Sequence, residues 1–240
     1  MTELERLRSE SETLSPEALI AWALHTFGSE GIAFASSLGA EDQVITHLIA
    51  QHARDLPVFT LDTGRLPAET YDLIQQVRGR YGLRVAVYFP RPEAVEAYLA
   101  AHGPNAFYDE LRLRRQCCAM RKTEPLRRAL AGRRAWLTGL RREQAPTRGG
   151  IGLQGWDAEH GLHKFNPLAD WSATDVWAYI RERDVPYNRL YDQGYTSIGC
   201  APCTRAVSVG EDARAGRWWW EAPEHKECGL HQPAPAPQGG

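Results

Sequence analysis

The sequence predicts an α/β fold, a parallel sheet flanked by helices, with a loop-rich C-terminal part and a mobile tail. Three observations predict it. Short apolar runs alternate with helical patterns through the first 140 residues. The connecting patterns have the length of crossover helices, which argues for βαβ units. Beyond residue 150 the periodicity weakens, and the chain closes on QPAPAPQGG, rich in Pro and Gly and poor in apolar residues.

Taken in order, GIAFASS (31–37) reads as a buried strand, followed by a helix from about Glu41 with Val44, Ile45, Leu48 and Ile49 on one face. PVFTLD (57–62) is a second strand, and its helix runs through Tyr71, Ile74 and Val77. RVAVYF (84–89) is a third, with a helix through Val95, Tyr98 and Leu99. RAWLTGL (134–140) is a fourth, after a helix around 119–130. SATDVWAYIRERD (172–184) is a further helix, capped by Ser172 with Asp175 three residues on, and apolar at Val176, Trp177 and Ile180. In parallel sheets ligands sit at the carboxyl ends of the strands, so the loops at 36–42, 62–67 and 139–150 are the ones to watch.

The chain has 240 residues and a net charge of -2, which disfavours a general polyanion binder. No apolar run approaches a membrane span. The acidic, polar start MTELERLRSESE is unlike a signal or transit peptide, so a cytoplasmic location is expected. Charge is nonetheless uneven. Residues 111–150 carry 12 Lys and Arg against Glu124 and Glu143. Such a region suits a small anionic ligand or a bound anionic centre, and the plainer alternative is a solvated helix face.

Four motifs carry chemistry. SSLGAED (36–42) follows a strand and opens a helix, where free backbone N–H groups meet an anion. Gly39 permits close approach, and Ser36 and Ser37 add hydroxyls. An ordinary capped βα turn is the alternative. LDTGRLPAETY (61–71) places Asp62 at a strand end, able to accept from ribose hydroxyls, with Pro67 suited to the first turn of the next helix. Cys117–Cys118 and Cys200–Cys203 form two pairs of soft ligands, which select zinc or an iron–sulfur cluster. Adjacent cysteines diverge, and a wide cluster tolerates that better than one zinc ion. Cys228, in KECGLH, is either a low-pKa nucleophile or an incidental thiol.

Together LDTGRL, QCCAMRK, TGLRREQ, YTSIGCAPCTR, GEDARAGRWWW and ECGLH resemble the assimilatory adenylyl-sulfate (APS) reductases of the thioredoxin-dependent kind, which belong with the phosphoadenylyl-sulfate (PAPS) reductases. The resemblance runs from about Gly31 to His231. It implies an adenine-nucleotide α-hydrolase-like domain with a modified PP-loop. The expected domain division is an N-terminal helical segment (1–30), a nucleotide-binding α/β reductase domain with an iron–sulfur site (31–206) and a C-terminal catalytic tail (207–240).

By that resemblance Cys117, Cys118, Cys200 and Cys203 hold a 4Fe-4S cluster, Cys228 is the nucleophile, and Lys122 links cluster and substrate. Arg148, Arg214, Arg217 and His231 hold the phosphosulfate. Ser36, Ser37, Gly39, Asp62 and Arg65 fall in the nucleotide loops. Leu38 departs from the pattern, since members often carry serine or an aromatic just before the glycine. The implied reaction is reduction of APS to sulfite and AMP through a Cys228 S-sulfonate. With four thiolates tied to a cluster no resolving cysteine remains, so an external dithiol, thioredoxin, is implied. No nucleic acid or membrane partner is expected, and a homo-oligomer is compatible with this reading. The rivals are a PAPS reductase, a zinc-binding nucleic-acid module, and an ATP pyrophosphatase, whose SGGxDS pattern is missing.

Overall fold

The computed structural model of the protein describes residues 2–144, 150–222, 225–226 and 230. Six strands form one sheet: β1 (Ile32–Ala35), β2 (Val58–Leu61), β3 (Val85–Tyr88), β4 (Ala135–Leu137), β5 (Gln154–Asp157) and β6 (Leu162–Phe165). Their order is β3-β2-β1-β4-β6-β5. All pairings are parallel except β5 with β6. The first four strands fall where the apolar runs predict them. The chain builds outward from β1 to β3, then returns to place β4 on the other side of β1. The gap between the loops leaving β1 and β4 is where a ligand cavity opens in such sheets.

Successive strand residues face opposite sides of the sheet. Ile32 and Phe34 of β1, with Ala135 and Leu137 of β4, join the main core. Ala33 and Trp136 face a second core with Phe59. The main core is covered by α2 (Pro16–Gly31), α3 (Ala40–His52) and α8 (Ala173–Glu182), and the second by α7 (Glu124–Leu130). Burial on both faces explains why these strands read as continuous apolar runs. Leu7 of α1 (Glu3–Ser11), with Leu19, Ile20 and Ala23 of α2, belongs to the main core. The remaining helices are α4 (Ala68–Tyr81), α5 (Pro92–His102) and α6 (Leu111–Cys118). Ser172 caps α8 through the box with Asp175 that the sequence predicts.

Two expectations change. The helix placed around 119–130 begins at Leu111: α6 runs through a π turn (Ala119–Thr123) into α7. The Glu124 N–H reaches back five residues to the Ala119 carbonyl. The polar sequence LRLRRQ hides α6, because only Leu113, Arg114 and Cys118 of it are buried. Strands β5 and β6 also escape the reading. LHKF holds only four residues, and Lys164 covers Trp136 with its ammonium 4.7 Å from the ring centroid. No helix among the described residues is long and apolar enough to cross a membrane.

Candidate active site

The loop leaving β1 opens onto a cavity of about 380 Å³, walled opposite by the loop leaving β4. The expected free amides of SSLGAED are mostly taken within the protein. The Ser37 N–H and Oγ–H donate to Asp42 Oδ2 at 2.6 and 2.5 Å. The Leu38 N–H donates to Ser36 Oγ at 3.2 Å, and the Ala40 N–H donates to Tyr191 Oη at 3.0 Å. Leu38 takes the left-handed conformation, φ 62°, and turns its side chain into the main core. The loop is thus tied off and carries carboxylates. Burial raises the Asp42 carboxyl to about 6, while Ser37 pulls it back. A Cβ on Gly139 would overlap Asp42 Oδ1, so the β4 loop must be glycine there. Glu41 accepts from Arg141 Nε at 2.8 Å.

Positive charge enters from elsewhere. Lys122, Arg214 and Arg217 line the cavity. Lys122 projects from the π turn and is 9% exposed. Arg217 lies on the face of Trp218, 4.5 Å from the centroid, and donates to the Ile198 carbonyl at 3.3 Å. Its guanidinium occupies the space a Cβ on Gly199 would need. An anionic group in this cavity meets these cations rather than the loop.

A second, smaller cavity adjoins the first and is lined by Cys117, Cys118, Cys200 and Cys203. The end of α6 supplies one pair, and a short 3-10 turn (Ala201–Cys203) the other. Arg65 sits here too, stacked 4.9 Å from the Phe107 centroid, and its carbonyl accepts from the Ala201 N–H. All four cysteines are free thiols. Among the described residues no three His, Cys, Asp or Glu side chains converge on a point where one ion would bind. The four sulfurs instead share the walls of one cavity, a donor set that soft metals take. Burial pushes the Cys203 thiol up to about 12, with Cys200 adding and Lys122 opposing. Burial likewise raises Cys117, against Arg121. Thiolates here require a compensating cation, such as bound iron, which fits the donor set.

Lys122, Cys200 and Trp218 line both cavities. Ser36, Ser37, Gly39, Lys122, Arg214 and Arg217 therefore gather at the larger cavity as the sequence suggests. Asp62 turns away, accepting from the Gly64 N–H at 2.7 Å and the Tyr71 hydroxyl at 2.9 Å. Arg65 belongs to the sulfur-lined side. Arg148, Cys228 and His231 lie outside the described residues. Sequence reasoning missed Asp42, Tyr191 and Trp218. Asp42 stood inside a quoted motif without a partner to give it meaning. Tyr191 meets the loop from 151 residues away.

Residues 31–206 match the phosphoadenosine phosphosulfate reductase domain. A protein of Allochromatium vinosum named adenosine 5'-phosphosulfate reductase is 57% identical over 209 residues, 87% of this chain and 82% of that one. A Burkholderia cepacia protein of the same name is 54% identical over 200 residues, 83% of this chain and 80% of its own length. Among solved structures, a phosphoadenylyl-sulfate reductase of Candida auris in a phosphate complex superposes with a TM-score of 0.73 at 30% identity, covering 86% of this chain and 98% of that one.

Proposed function

The chain belongs to the phosphoadenosine phosphosulfate reductase family, and on that premise we propose that it reduces adenylyl sulfate to sulfite and AMP with thioredoxin as donor. Its fold is the adenine-nucleotide α-hydrolase type. The observation that carries the reading is the shared wall: Lys122, Cys200 and Trp218 separate a nucleotide-sized cavity from one lined by four thiols.

The substrate joins sulfate to phosphate, so a thiolate attacking its sulfur faces two anionic groups. Lys122, Arg214 and Arg217 screen them, with guanidinium forks matched to tetrahedral oxyanions; Arg148 and His231 complete the set. Glu41 and Asp42 suit hydroxyl donors of a nucleoside instead. The Cys228 thiolate forms an S–S bond to the sulfonyl sulfur as the S–O bond to phosphate breaks, and AMP leaves with the electron pair. A thiolate of thioredoxin then attacks Cys228 sulfur and releases sulfite. Its second thiol resolves the mixed disulfide, so the dithiol supplies both electrons.

Cys117, Cys118, Cys200 and Cys203 would hold a 4Fe-4S cluster. When bound, it supplies fixed charge beside Lys122 and braces α6 against the 200–203 turn. A dithiol donor and unpaired thiols suit the cytoplasm.

The test is anaerobic purification with iron and sulfide counts, an ultraviolet–visible spectrum, and sulfite release from APS and PAPS with thioredoxin. Iron with sulfide, and turnover of APS over PAPS, are expected. Zinc alone, or preference for PAPS, contradicts the reading.

A further inference from the structure

Tyr191 meets the larger cavity from a turn that is fastened to two helices. The turn is a 3-10 segment (Arg189–Gln193) entered through Asn188, which is buried. Asn188 Nδ2 donates to Thr70 Oγ1 of α4 at 2.9 Å, and the Asn188 carbonyl accepts from the Tyr191 N–H at 3.1 Å. The Tyr191 ring packs edge-on against Trp177 of α8, with centroids 5.1 Å apart. These contacts fix where the phenol oxygen stands.

That oxygen accepts from the Ala40 N–H at 3.0 Å. Ala40 is the first residue of α3, and its cap, Gly39, brings no side chain to the helix end. A phenol oxygen that accepts one hydrogen bond still has its own proton to donate. Burial, with Glu41 and Asp42 nearby, pushes the phenol above its ordinary range, so the proton stays on. The two carboxylates are engaged, Glu41 by Arg141 at 2.8 Å and Asp42 by Ser37 at 2.6 Å. Ser197, Ile198 and Gly199, a few residues beyond Tyr191, line the same cavity. Arg217 is held on that stretch, by the Ile198 carbonyl at 3.3 Å and Ser197 Oγ at 3.4 Å. Phenol and guanidinium thus share one wall, beside the positive end of a 13-residue helix.

The geometry points to Tyr191 as a phosphate-contacting residue: its O–H donates to a phosphate oxygen of the bound nucleotide, between Arg217 and the start of α3. The inference deepens the proposed nucleotide site and rests on it. Hydrogen bonds in series polarise one another, so the bond from Ala40 strengthens the donor at the other end of the chain. The β1 loop spends its amides within the protein, yet its helix still acts on the anion through a side chain 151 residues away. Because the turn is fixed by α4 and α8, the hydroxyl is in place before the ligand arrives and little ordering remains to be done on binding.

The experiment compares the iron-loaded parent with Tyr191→Phe. Affinities for AMP and for adenosine are measured by calorimetry, and the pH midpoint of the bound AMP phosphate by phosphorus NMR. In the variant AMP affinity falls about tenfold, the size of one hydrogen bond to a charged group. Adenosine affinity stays within about twofold. The bound phosphate titrates at higher pH in the variant, because its dianion has lost a donor. Equal losses for AMP and adenosine overturn the inference, since Tyr191 would then shape the loop or hold the nucleoside. Unchanged AMP affinity or an unmoved phosphate midpoint also overturns it. A parent that binds AMP but does not reduce APS refutes the proposed reaction, and the AMP ratio between parent and variant still decides the role of Tyr191. A parent that binds AMP no better than adenosine refutes the phosphate contact.

Discussion

Asp42 accepts both hydrogen bonds that Ser37 offers the β1 loop, from its N–H at 2.6 Å and its hydroxyl at 2.5 Å. Burial nonetheless raises this carboxyl from 3.8 to about 6. The folded protein therefore binds the proton more tightly than the unfolded chain. The associated stability is fully present below 3.8 and is lost as pH rises through about 6. At pH 7 the ionised group costs roughly 3 kcal/mol. Asp42→Asn should remove this dependence. Urea denaturation of both proteins at several pH values across that window should show the parent falling relative to the variant. Parallel curves would place the titration elsewhere.

Lys122 lines both cavities. Lys122→Gln should lower kcat/KM for APS by about 100–1,000-fold, the usual cost of removing one preorganised charge partner from a reaction centre. Iron content should remain at the parent level, because lysine is not a soft ligand. Simultaneous loss of iron would make Lys122 a structural residue.

The proposed roles divide the cysteines into two groups. Cys203→Ser should lose iron, visible absorbance and activity together. Cys228→Ser should keep its iron and AMP affinity and form no sulfite. Iron loss on changing Cys228 would show that the ligand set is misassigned.

Arg114 and Glu221 form a buried ion pair, with side chains 1% and 7% exposed. Arg114→Met or Glu221→Gln alone leaves an uncompensated group and should cost about 3–5 kcal/mol in urea denaturation. The double variant should lose less than the sum. Strict additivity would mean that the pair does not interact.

The parallel sheet was legible because its central strands are buried on both faces and write themselves as apolar runs. Strands β5 and β6 were not, since Lys164 of β6 works there through its stem and charge over Trp136. The same division holds at the site. The cysteine pairs could be read from their spacing and chemistry, and Lys122, Arg214 and Arg217 from the family resemblance. The closed hydrogen bonding of the Ser36–Asp42 loop could not. It depends on Tyr191, 151 residues from Ala40, and on Gly139 yielding space to Asp42. Long-range partners of that kind leave no local periodicity.

The π turn at Ala119–Thr123 acts as a phase shifter within an otherwise continuous helix. Upstream, Cys118 must face Phe107 and Trp218; downstream, Leu126, Ala129 and Leu130 must face the sheet. A regular helix advances by about 100° per residue, so deleting one residue here would tidy the hydrogen bonding and swing one half out of alignment. The irregularity lets a single rod serve two partners whose bearings differ, and Lys122 stands at the join.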